Sequence, residues 1–361
     1  MERIDVTRAF LPPKADFYRR VDQLWETRWL TNQGPLVREL EESLGAYLGC
    51  QQPHLVANGT LALQLAIRAL DLEPGEIVTT PFTYVATTSA ILWEGHCPVF
   101  ADIDPTSLCI NPAKIETAIT ARTRAILPVH VFGTPCDIAA IQSIADRHGL
   151  PVIYDAAHAF GVRFGERSLL SYGTFATCSF HATKLFHTVE GGCVVTGDER
   201  LGRRVELSLR FGHEGDEHLQ LGINAKLSEL HAAVGLSSLP HVPEIIRKRQ
   251  AIVEAYDDLV GDGGSRPGVP AGTTRNFGYY PLILPTESIT LSILRRTNRE
   301  QIFPRRYFYP SLNTLAYLAA EAPCPESESI ARRILCLPLH PDLDPKHVER
   351  ISHIVREEIG S

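Results

Sequence analysis

The segment 178–192 carries a lysine in an unusual setting. Lys184 follows a strand-like run, and its neighbours include Phe180, Leu185 and Phe186. An amine in apolar surroundings is favoured in its uncharged form, which is the form that attacks a carbonyl carbon to give a Schiff base. The alternative is a surface lysine, whose aliphatic stem covers apolar neighbours while its amine stays in water. The segment alone leaves both interpretations open.

A carboxylate and a histidine follow another strand-like run. Asp155 closes the run 152–155, and His158 comes three residues later. A carboxylate in an apolar run needs a partner to stay charged. In an enzyme that uses pyridoxal phosphate (PLP), that partner is the protonated pyridine nitrogen, and His158 could hydrogen-bond the same ring. Equally, Asp155 could cap the next helix and His158 could be a core histidine.

The turn Asn58-Gly59-Thr60 precedes a helical pattern and could bind a phosphate group. Helix N-termini expose unpaired N–H groups and the positive end of the helix dipole, so they bind anions well. The hydroxyl of Thr60, and that of Ser179 after a later strand, could add hydrogen bonds. A simple N-cap formed by Asn58 or Thr60 explains the same turn.

A similar ambiguity holds for the segment 222–229. Asn224 and Lys226 could reach a phosphate from this segment. Asn224 could instead only cap the helix that follows.

The segment IFPRRYFYPSLN at 302–313 combines basic and phenolic side chains. Arg305 and Arg306 could form charge-assisted hydrogen bonds with a diphosphate. Tyr307 and Tyr309 could hydrogen-bond sugar or phosphate oxygens. The alternative is an aromatic packing segment with surface arginines.

These residues must be positioned by the elements around them. Apolar runs that predict strands lie at 54–57, 76–80, 98–101, 125–129, 152–155, 176–180 and 193–196. Helical patterns lie at 60–70, 83–93, 137–148, 199–210 and 227–239. Strands that alternate with helices predict an α/β fold with a mostly parallel sheet covered on both faces. Such sheets bind ligands outside the carboxyl ends of their strands, where the polar residues described above fall.

The pattern changes near residue 240. A charged helical stretch at 241–260 leads into the turn-rich segment 261–274, and a few strands and helices follow. We therefore expect a large domain at 1–240, with an N-terminal arm, and a smaller C-terminal α/β domain at 241–361.

Composition excludes several classes of function. The formal net charge is -7, so no overall basic field attracts nucleic acid. The eight cysteines have no CxxC spacing, which argues against a metal or redox site and suits a reducing cytoplasm. The N-terminus carries no apolar signal-peptide core, and no apolar stretch is long enough to span a bilayer.

Taken together, the motifs resemble those of the DegT/StrS-type sugar aminotransferases along nearly the whole chain. The matching stretches are NGTLAL (58–63), PFTYVATTSA (81–90), PVFADID (98–104), LPVHVFG (127–133), VIYDAAHAFG (152–161), SFHATK (179–184), EGGCVVT (190–196) and GINAKLSELHAA (222–233). The resemblance implies a fold-type I PLP transferase, similar to aspartate aminotransferase, with a mixed, mostly parallel sheet of seven strands.

The resemblance also implies roles for single residues. It places in the PLP site Gly59, Thr60, Tyr84, Asp155, His158, Ser179, Lys184 and Asn224. Lys184 would bond covalently to PLP and shuttle the proton, Asp155 would hold the pyridine nitrogen, and Tyr84 would stack on the ring. Asn224 would reach the phosphate of the neighbouring subunit, which implies a homodimer with shared active sites. His158 stands where many members have glutamine, a change that keeps a hydrogen-bond donor.

Within the family, the segment 179–192 is similar to the branch that aminates C4 of a dTDP-4-keto-6-deoxyhexose to form dTDP-4-amino-4,6-dideoxyglucose. The segment 302–313 is similar to that branch too. The implied partners are a dTDP-keto sugar and L-glutamate, the usual amino donor. The candidate substrate contacts are His181, His187, Arg305, Arg306, Tyr307 and Tyr309.

Three alternatives stay open. The chain could aminate C3 of a dTDP-3-keto-6-deoxyhexose. It could be a sugar dehydratase of the same family, in which a histidine replaces the lysine; Lys184 argues against this, although His181 and His187 lie nearby. It could also be a PLP-free homologue without catalytic activity. A nicotinamide dehydrogenase is disfavoured because no GxGxxG follows a strand.

Overall fold

Seven strands build the central sheet of the computed structural model, which describes residues 3–318 and 322–360. They are His54–Val56 (β1), Glu76–Thr79 (β2), Cys97–Phe100 (β3), Thr123–Leu127 (β4), Ile153–Asp155 (β5), Phe175–Ser179 (β6) and Gly192–Val195 (β7). Their order is β3-β2-β4-β5-β6-β7-β1, with β4 and β5 joined by the parallel bridges Ile126–Val152 and Val129–Asp155. Strand β7 runs antiparallel to both of its neighbours, whereas the other pairs are parallel. The predicted mixed, mostly parallel sheet is therefore confirmed.

Helices connect and cover the strands. Those of the described residues are Lys14–Thr27 (α1), Pro35–Leu48 (α2), Gly59–Ala69 (α3), Ala86–Trp93 (α4), Pro112–Ala118 (α5), Ile138–His148 (α6), Glu199–Ser208 (α7), Glu229–Ser238 (α8), Val242–Val260 (α9), Glu287–Arg299 (α10), Pro325–Arg333 (α11) and Pro345–Gly360 (α12). Side-chain caps fix several starts, such as Asp137 before α6 and Asp198 before α7. Helix α4 begins three residues later than predicted; Thr83 lies in a bend before it, and its hydroxyl hydrogen-bonds the hydroxyl of Thr87 at 3.0 Å.

The sheet is buried on both faces, which explains why its strands are continuous apolar runs. Neighbouring residues of one strand belong to different hydrophobic cores, one on each face of the sheet. Val78 belongs to the core formed with α2, α6 and α8, and Ile77 to the core formed with α3, α4 and α7. A sheet covered in this way leaves its strand ends as the place where polar side chains can gather.

A separate core lies in the C-terminal part of the chain. Strands Tyr280–Ile283 (β8) and Ile334–Leu337 (β9) pair antiparallel, and α9, α10 and α12 pack on them. The short strand Ile4–Asp5 joins this part by pairing with Ile302–Phe303. The division at residue 240 stays a prediction, which this second core supports.

The remaining strands are short. They are Arg163–Phe164, Arg167–Ser168, His213–Glu214, Glu217–His218 and Thr273–Thr274. Across residues 3–318 and 322–360, no helix combines the length and apolarity needed to cross a bilayer.

Candidate active site

A cleft of about 1180 Å³, part of it open to solvent, lies at the carboxyl ends of β5 and β6. Asp155 is the last residue of β5 and Ser179 the last residue of β6, and the two strands are parallel neighbours. The predicted site residues that line this cleft are Gly59, Thr60, Tyr84, Asp155, His158, Ser179, His181, Lys184, Arg305 and Tyr307. Residues from five separate segments of the sequence thus meet in one place.

Asp155 is a buried carboxylate held by neutral donors. Its side chain accepts hydrogen bonds from the Thr87 hydroxyl at 2.8 Å and from the Ala157 N–H at 3.1 Å. Burial raises the pKa of Asp155, and the hydrogen bonds from Ala157 and Thr87, followed by the charge of Lys184, oppose that shift. The N–H of Ala157 belongs to a turn and not to a helix, so the alternative role of a helix cap is wrong. A positively charged ligand atom would stabilise the ionised carboxylate.

His158 is buried in its neutral form with a defined tautomer. Its Nδ1 accepts the Phe132 N–H at 3.1 Å, so the ring proton lies on Nε2. Burial, and secondly the charge of Lys184, lower the pKa of His158 well below its usual value. The His158 ring lies nearly parallel to the rings of Phe132 and Phe308, at centroid distances of 6.0 Å and 5.6 Å, and those two rings lie 5.9 Å from each other. His158 is thus packed like a core histidine and still carries one N–H donor.

The N-terminus of α3 closes another side of the cleft. Asn58 is the cap: its side chain accepts the Leu61 N–H at 2.9 Å. The cap leaves the first-turn N–H groups of Gly59 and Thr60 available to a ligand. A Cβ atom on Gly59 would lie 2.8 Å from the Cβ of Ser179, so only glycine lets α3 approach the end of β6 this closely. Asn58 can therefore cap α3 while the same turn binds a phosphate group, so the two interpretations of this turn are compatible.

Lys184 is half-buried, and its amine has a specific partner. Lys184 Nζ donates to the Tyr279 hydroxyl at 3.2 Å. Tyr279 and Thr87 are site residues that the sequence did not indicate. Thr87 lies three residues after Tyr84 inside a predicted helix. Residues three apart lie on the same face of a helix, so this spacing could have placed Thr87 beside the predicted site residue Tyr84. Tyr279 lies in an irregular stretch 95 residues beyond Lys184, where no local pattern points to it.

Three predicted substrate contacts lie outside the lining of the cleft. The His187 ring hydrogen-bonds the carbonyl oxygen of Phe10 at 2.7 Å and is buried there. Arg306 donates to Glu287 at 2.9 Å, and its guanidinium carbon lies 3.4 Å from the centre of the Tyr309 ring. His187 and Arg306 are thus engaged by other residues of the chain, and the roles of these two residues and of Tyr309 in substrate binding stay predictions.

Asn224 also lies outside the lining of the cleft. Its side chain is exposed and accepts a hydrogen bond from Lys226 Nζ at 2.7 Å. Ser228 caps α8, so the alternative in which Asn224 caps this helix is wrong. The expected contact of Asn224 with a second subunit stays a prediction.

The outer wall of the cleft carries the other substrate candidates. Arg305 and Tyr307 line it from the C-terminal part of the chain, and burial raises the pKa of Tyr307 to about 12, so its hydroxyl stays protonated. His181 also lines the cleft and is exposed, with Nδ1 2.8 Å from the Thr183 hydroxyl. A cation and a phenol on one wall suit an anionic, oxygen-rich ligand.

Comparisons with known proteins agree with this geometry. The profile of the DegT/DnrJ/EryC1/StrS aminotransferase family matches residues 13–356. Two dTDP-4-amino-4,6-dideoxy-D-glucose transaminases, from Shigella dysenteriae and Escherichia coli, are 39% and 37% identical over 98% of this chain and 98% of their own lengths. A crystal structure of DesI with its TDP-sugar product is similar with a TM-score of 0.94 at 34% identity, covering 99% of this chain and 93% of that one. This chain therefore belongs to the DegT/DnrJ/EryC1/StrS aminotransferase family.

Proposed function

We propose that this protein transfers the amino group of L-glutamate to C4 of a dTDP-4-keto-6-deoxyhexose, with PLP as its cofactor. The observation that carries the proposal is the meeting of Lys184, Asp155 and the α3 N-terminus in one cleft at the ends of adjacent parallel strands. The similarity to two transaminases that are named for the C4-amino product supports the choice of substrate.

The residues of the cleft fit PLP. Asp155 is 5% exposed, and among the described residues no basic side chain forms an ion pair with it. A pyridinium nitrogen would supply the missing positive charge. The hydroxyls of Thr60 and Ser179, with the α3 N-terminus, would hold the phosphate group. The exposed ring of Tyr84 lines the cleft and is available to stack on the cofactor ring.

Bound PLP supplies an electron sink that stabilises negative charge on the carbon next to the transferred nitrogen. Asp155 would keep this sink effective by remaining ionised beside the pyridine nitrogen. The Nε2–H of His158 would be available as a donor to the phenolic oxygen of the ring. Lys184 Nζ removes the proton from one carbon and returns it to the other, and its half-buried position limits exchange of that proton with water.

The sugar nucleotide is expected on the wall that carries Arg305 and Tyr307. Arg305 is exposed there. Among the described residues its guanidinium forms no salt bridge, so it can bind a diphosphate. The runner-up function is amination at C3 of a 3-keto sugar nucleotide, which uses the same cofactor site.

We also propose a homodimer with shared active sites. Large apolar side chains are exposed on α1, on the segment that follows it and on α8; they include Trp25 at 74%, Leu30 at 61% and Leu230 at 50%. The Glu229 N–H donates to the Leu30 carbonyl oxygen, so these two segments are adjacent. An apolar surface of this kind marks an interface.

The test of the amino transfer is a Lys184→Ala variant assayed beside Lys114→Ala, which changes an exposed lysine of α5. Lys184→Ala should abolish turnover, and its absorption spectrum should lack the borohydride-sensitive band of PLP bound to lysine. Lys114→Ala should behave as the wild type. Full steady-state turnover by Lys184→Ala would refute the assignment. Product NMR from 4-keto and 3-keto sugar nucleotides separates C4 from C3 amination.

The shared site has its own test. Lys184→Ala and Asn224→Ala subunits are mixed, dissociated and reassociated. In the hybrid dimer one site combines the intact lysine of one subunit with the intact asparagine of the other, so activity should reappear. A mixture that stays at the level of Asn224→Ala alone would show that Asn224 does not act across subunits.

A further inference from the structure

We propose that Tyr279 positions the Lys184 amine, and that the buried guanidinium of Arg249 acts through Tyr279 as a second positioning residue. This inference rests on the proposed function, because it concerns the lysine that would hold the cofactor. Its starting point is the hydrogen bond of 3.2 Å between Lys184 Nζ and the Tyr279 hydroxyl. Tyr279 comes from the C-terminal part of the chain, whereas Lys184 follows β6.

The Tyr279 ring is fixed on the inner wall of the cleft. It contacts the His158 ring edge-on at a centroid distance of 4.8 Å and the Phe132 ring at 5.5 Å. The segment before it is anchored by Asn276, whose amide donates to the carbonyl oxygens of His158 and Phe160 at 2.9 Å and 3.0 Å. The hydroxyl is therefore held at a defined point over the site.

Arg249 supports this segment from the side of α9. The residue is 2% exposed, and its Nη1 donates to the Gly278 carbonyl oxygen at 3.2 Å. Its buried Nε has no hydrogen-bond partner, and no carboxylate of the described residues pairs with it. Burial lowers the pKa of Arg249 to about 10, and the neighbouring Tyr279 opposes that shift. Burying a guanidinium without a counter-charge destabilises the fold, so such residues are rare. Because Arg249 is hydrogen-bonded to the residue that precedes Tyr279, we infer that it helps to place Tyr279.

The chemistry of Lys184 gives this contact a purpose. Amino transfer with PLP would require a lysine amine that is free of the cofactor for part of the reaction, and the free amine of Lys184 lies at the end of a flexible stem. A phenol hydroxyl can accept an N–H of the amine in either charge state, or donate to its lone pair. Tyr279 thus holds the free Nζ of Lys184 close to the position in which it would bond to the cofactor again.

The test uses holoenzyme and measures how fast hydroxylamine removes PLP, followed by loss of the visible absorbance of the bound cofactor. Tyr279→Phe should lose PLP roughly threefold to tenfold faster, as expected for one lost hydrogen bond. Its kcat should fall by a similar factor, with KM for the sugar nucleotide unchanged. The control is Tyr280→Phe, which removes the adjacent phenol that donates to Asp257 at 2.9 Å, outside the cleft; its release rate should match the wild type.

A double-mutant cycle tests the role of Arg249. Arg249→Met should speed PLP release when Tyr279 is present, and should add nothing in the Tyr279→Phe background. Arg249→Lys, which keeps the cation, should restore part of the wild-type rate and serves if the methionine variant does not fold. Additive effects would overturn the role of Arg249, and wild-type release by Tyr279→Phe would overturn the whole inference. If the release rates behave as expected but the wild type transfers no amino group, the proposed function fails and the positioning role stands.

Discussion

The buried carboxyl group of Glu41 links the stability of this protein to pH. It lies on α2, is 7% exposed and accepts the Leu55 N–H at 3.2 Å. Leu55 belongs to β1, the edge strand that leads into the Asn58 turn. Burial, and to a smaller extent the charge of Glu206, raise the pKa of Glu41 from 4.5 to about 7.

The sign of the pH effect follows from this direction. A carboxyl group with a raised pKa in the folded protein contributes stability fully below its unfolded pKa, and that contribution is lost as the pH rises through the folded pKa. Between the ordinary value of 4.5 and about 7, the loss amounts to about 3 kcal/mol of unfolding free energy, at about 1.36 kcal/mol per pH unit. Glu41→Gln keeps an oxygen that accepts the Leu55 N–H but cannot ionise.

We therefore expect Glu41→Gln to exceed the wild type in unfolding free energy by about 3 kcal/mol at pH 8 and by less than about 1 kcal/mol at pH 5. Urea unfolding of both proteins at equal concentration and saturation with cofactor measures the difference. Glu42→Gln, the same change at the exposed neighbouring position, is the control and should show no such pH dependence. An equal difference between Glu41→Gln and wild type at both pH values would refute the reasoning.

Two further predictions concern the cofactor site. Gly59→Ala should weaken PLP binding by about 1–3 kcal/mol, because its Cβ would lie 2.8 Å from that of Ser179; Gly197→Ala, where a Cβ meets nothing within 4 Å, should leave the PLP titration unchanged. His158→Gln keeps a donor and should retain activity, whereas His158→Leu should lose roughly tenfold in kcat, the cost of one hydrogen bond in the site. Since burial lowers the pKa of His158 well below its usual value, the pH profile of the wild-type rate should show no ionisation of His158 between pH 6 and 8. A change of rate in this pH range that is absent from His158→Gln would show that His158 is not neutral there.

The sequence was informative about the sheet for a physical reason. Strands buried on both faces are short apolar runs, and the residues that end them, such as Asp155 and Ser179, meet at one edge because parallel neighbours point the same way. The neighbourhood of these two residues could therefore be predicted before their contacts were known.

Contacts made across the fold could not be predicted in this way. Nothing in the sequence around Tyr279 distinguishes it from Tyr280, yet the first contacts Lys184 and the second pairs with Asp257. The same holds for Arg305 and Arg306: adjacent residues of an irregular segment point in different directions, and only the first lines the cleft. Side-chain direction in such segments is decided by tertiary packing, which leaves no periodic trace in the sequence.

Asp155 and Arg249 share a feature that connects the stability of this protein to its chemistry. Each is at most 5% exposed, and neither forms an ion pair with another side chain of the described residues. A buried charge without a counter-charge destabilises a fold by several kcal/mol, so such groups are rare unless a ligand or a neighbouring polar group uses them. For Asp155 the missing charge would be supplied by the pyridinium nitrogen of the proposed cofactor, and Arg249 donates to the carbonyl oxygen of Gly278, the residue before the phenol that accepts from Lys184. The charge of Asp155 is therefore placed to hold the proposed cofactor, and Arg249 is placed to support the segment that carries the hydrogen-bond partner of Lys184.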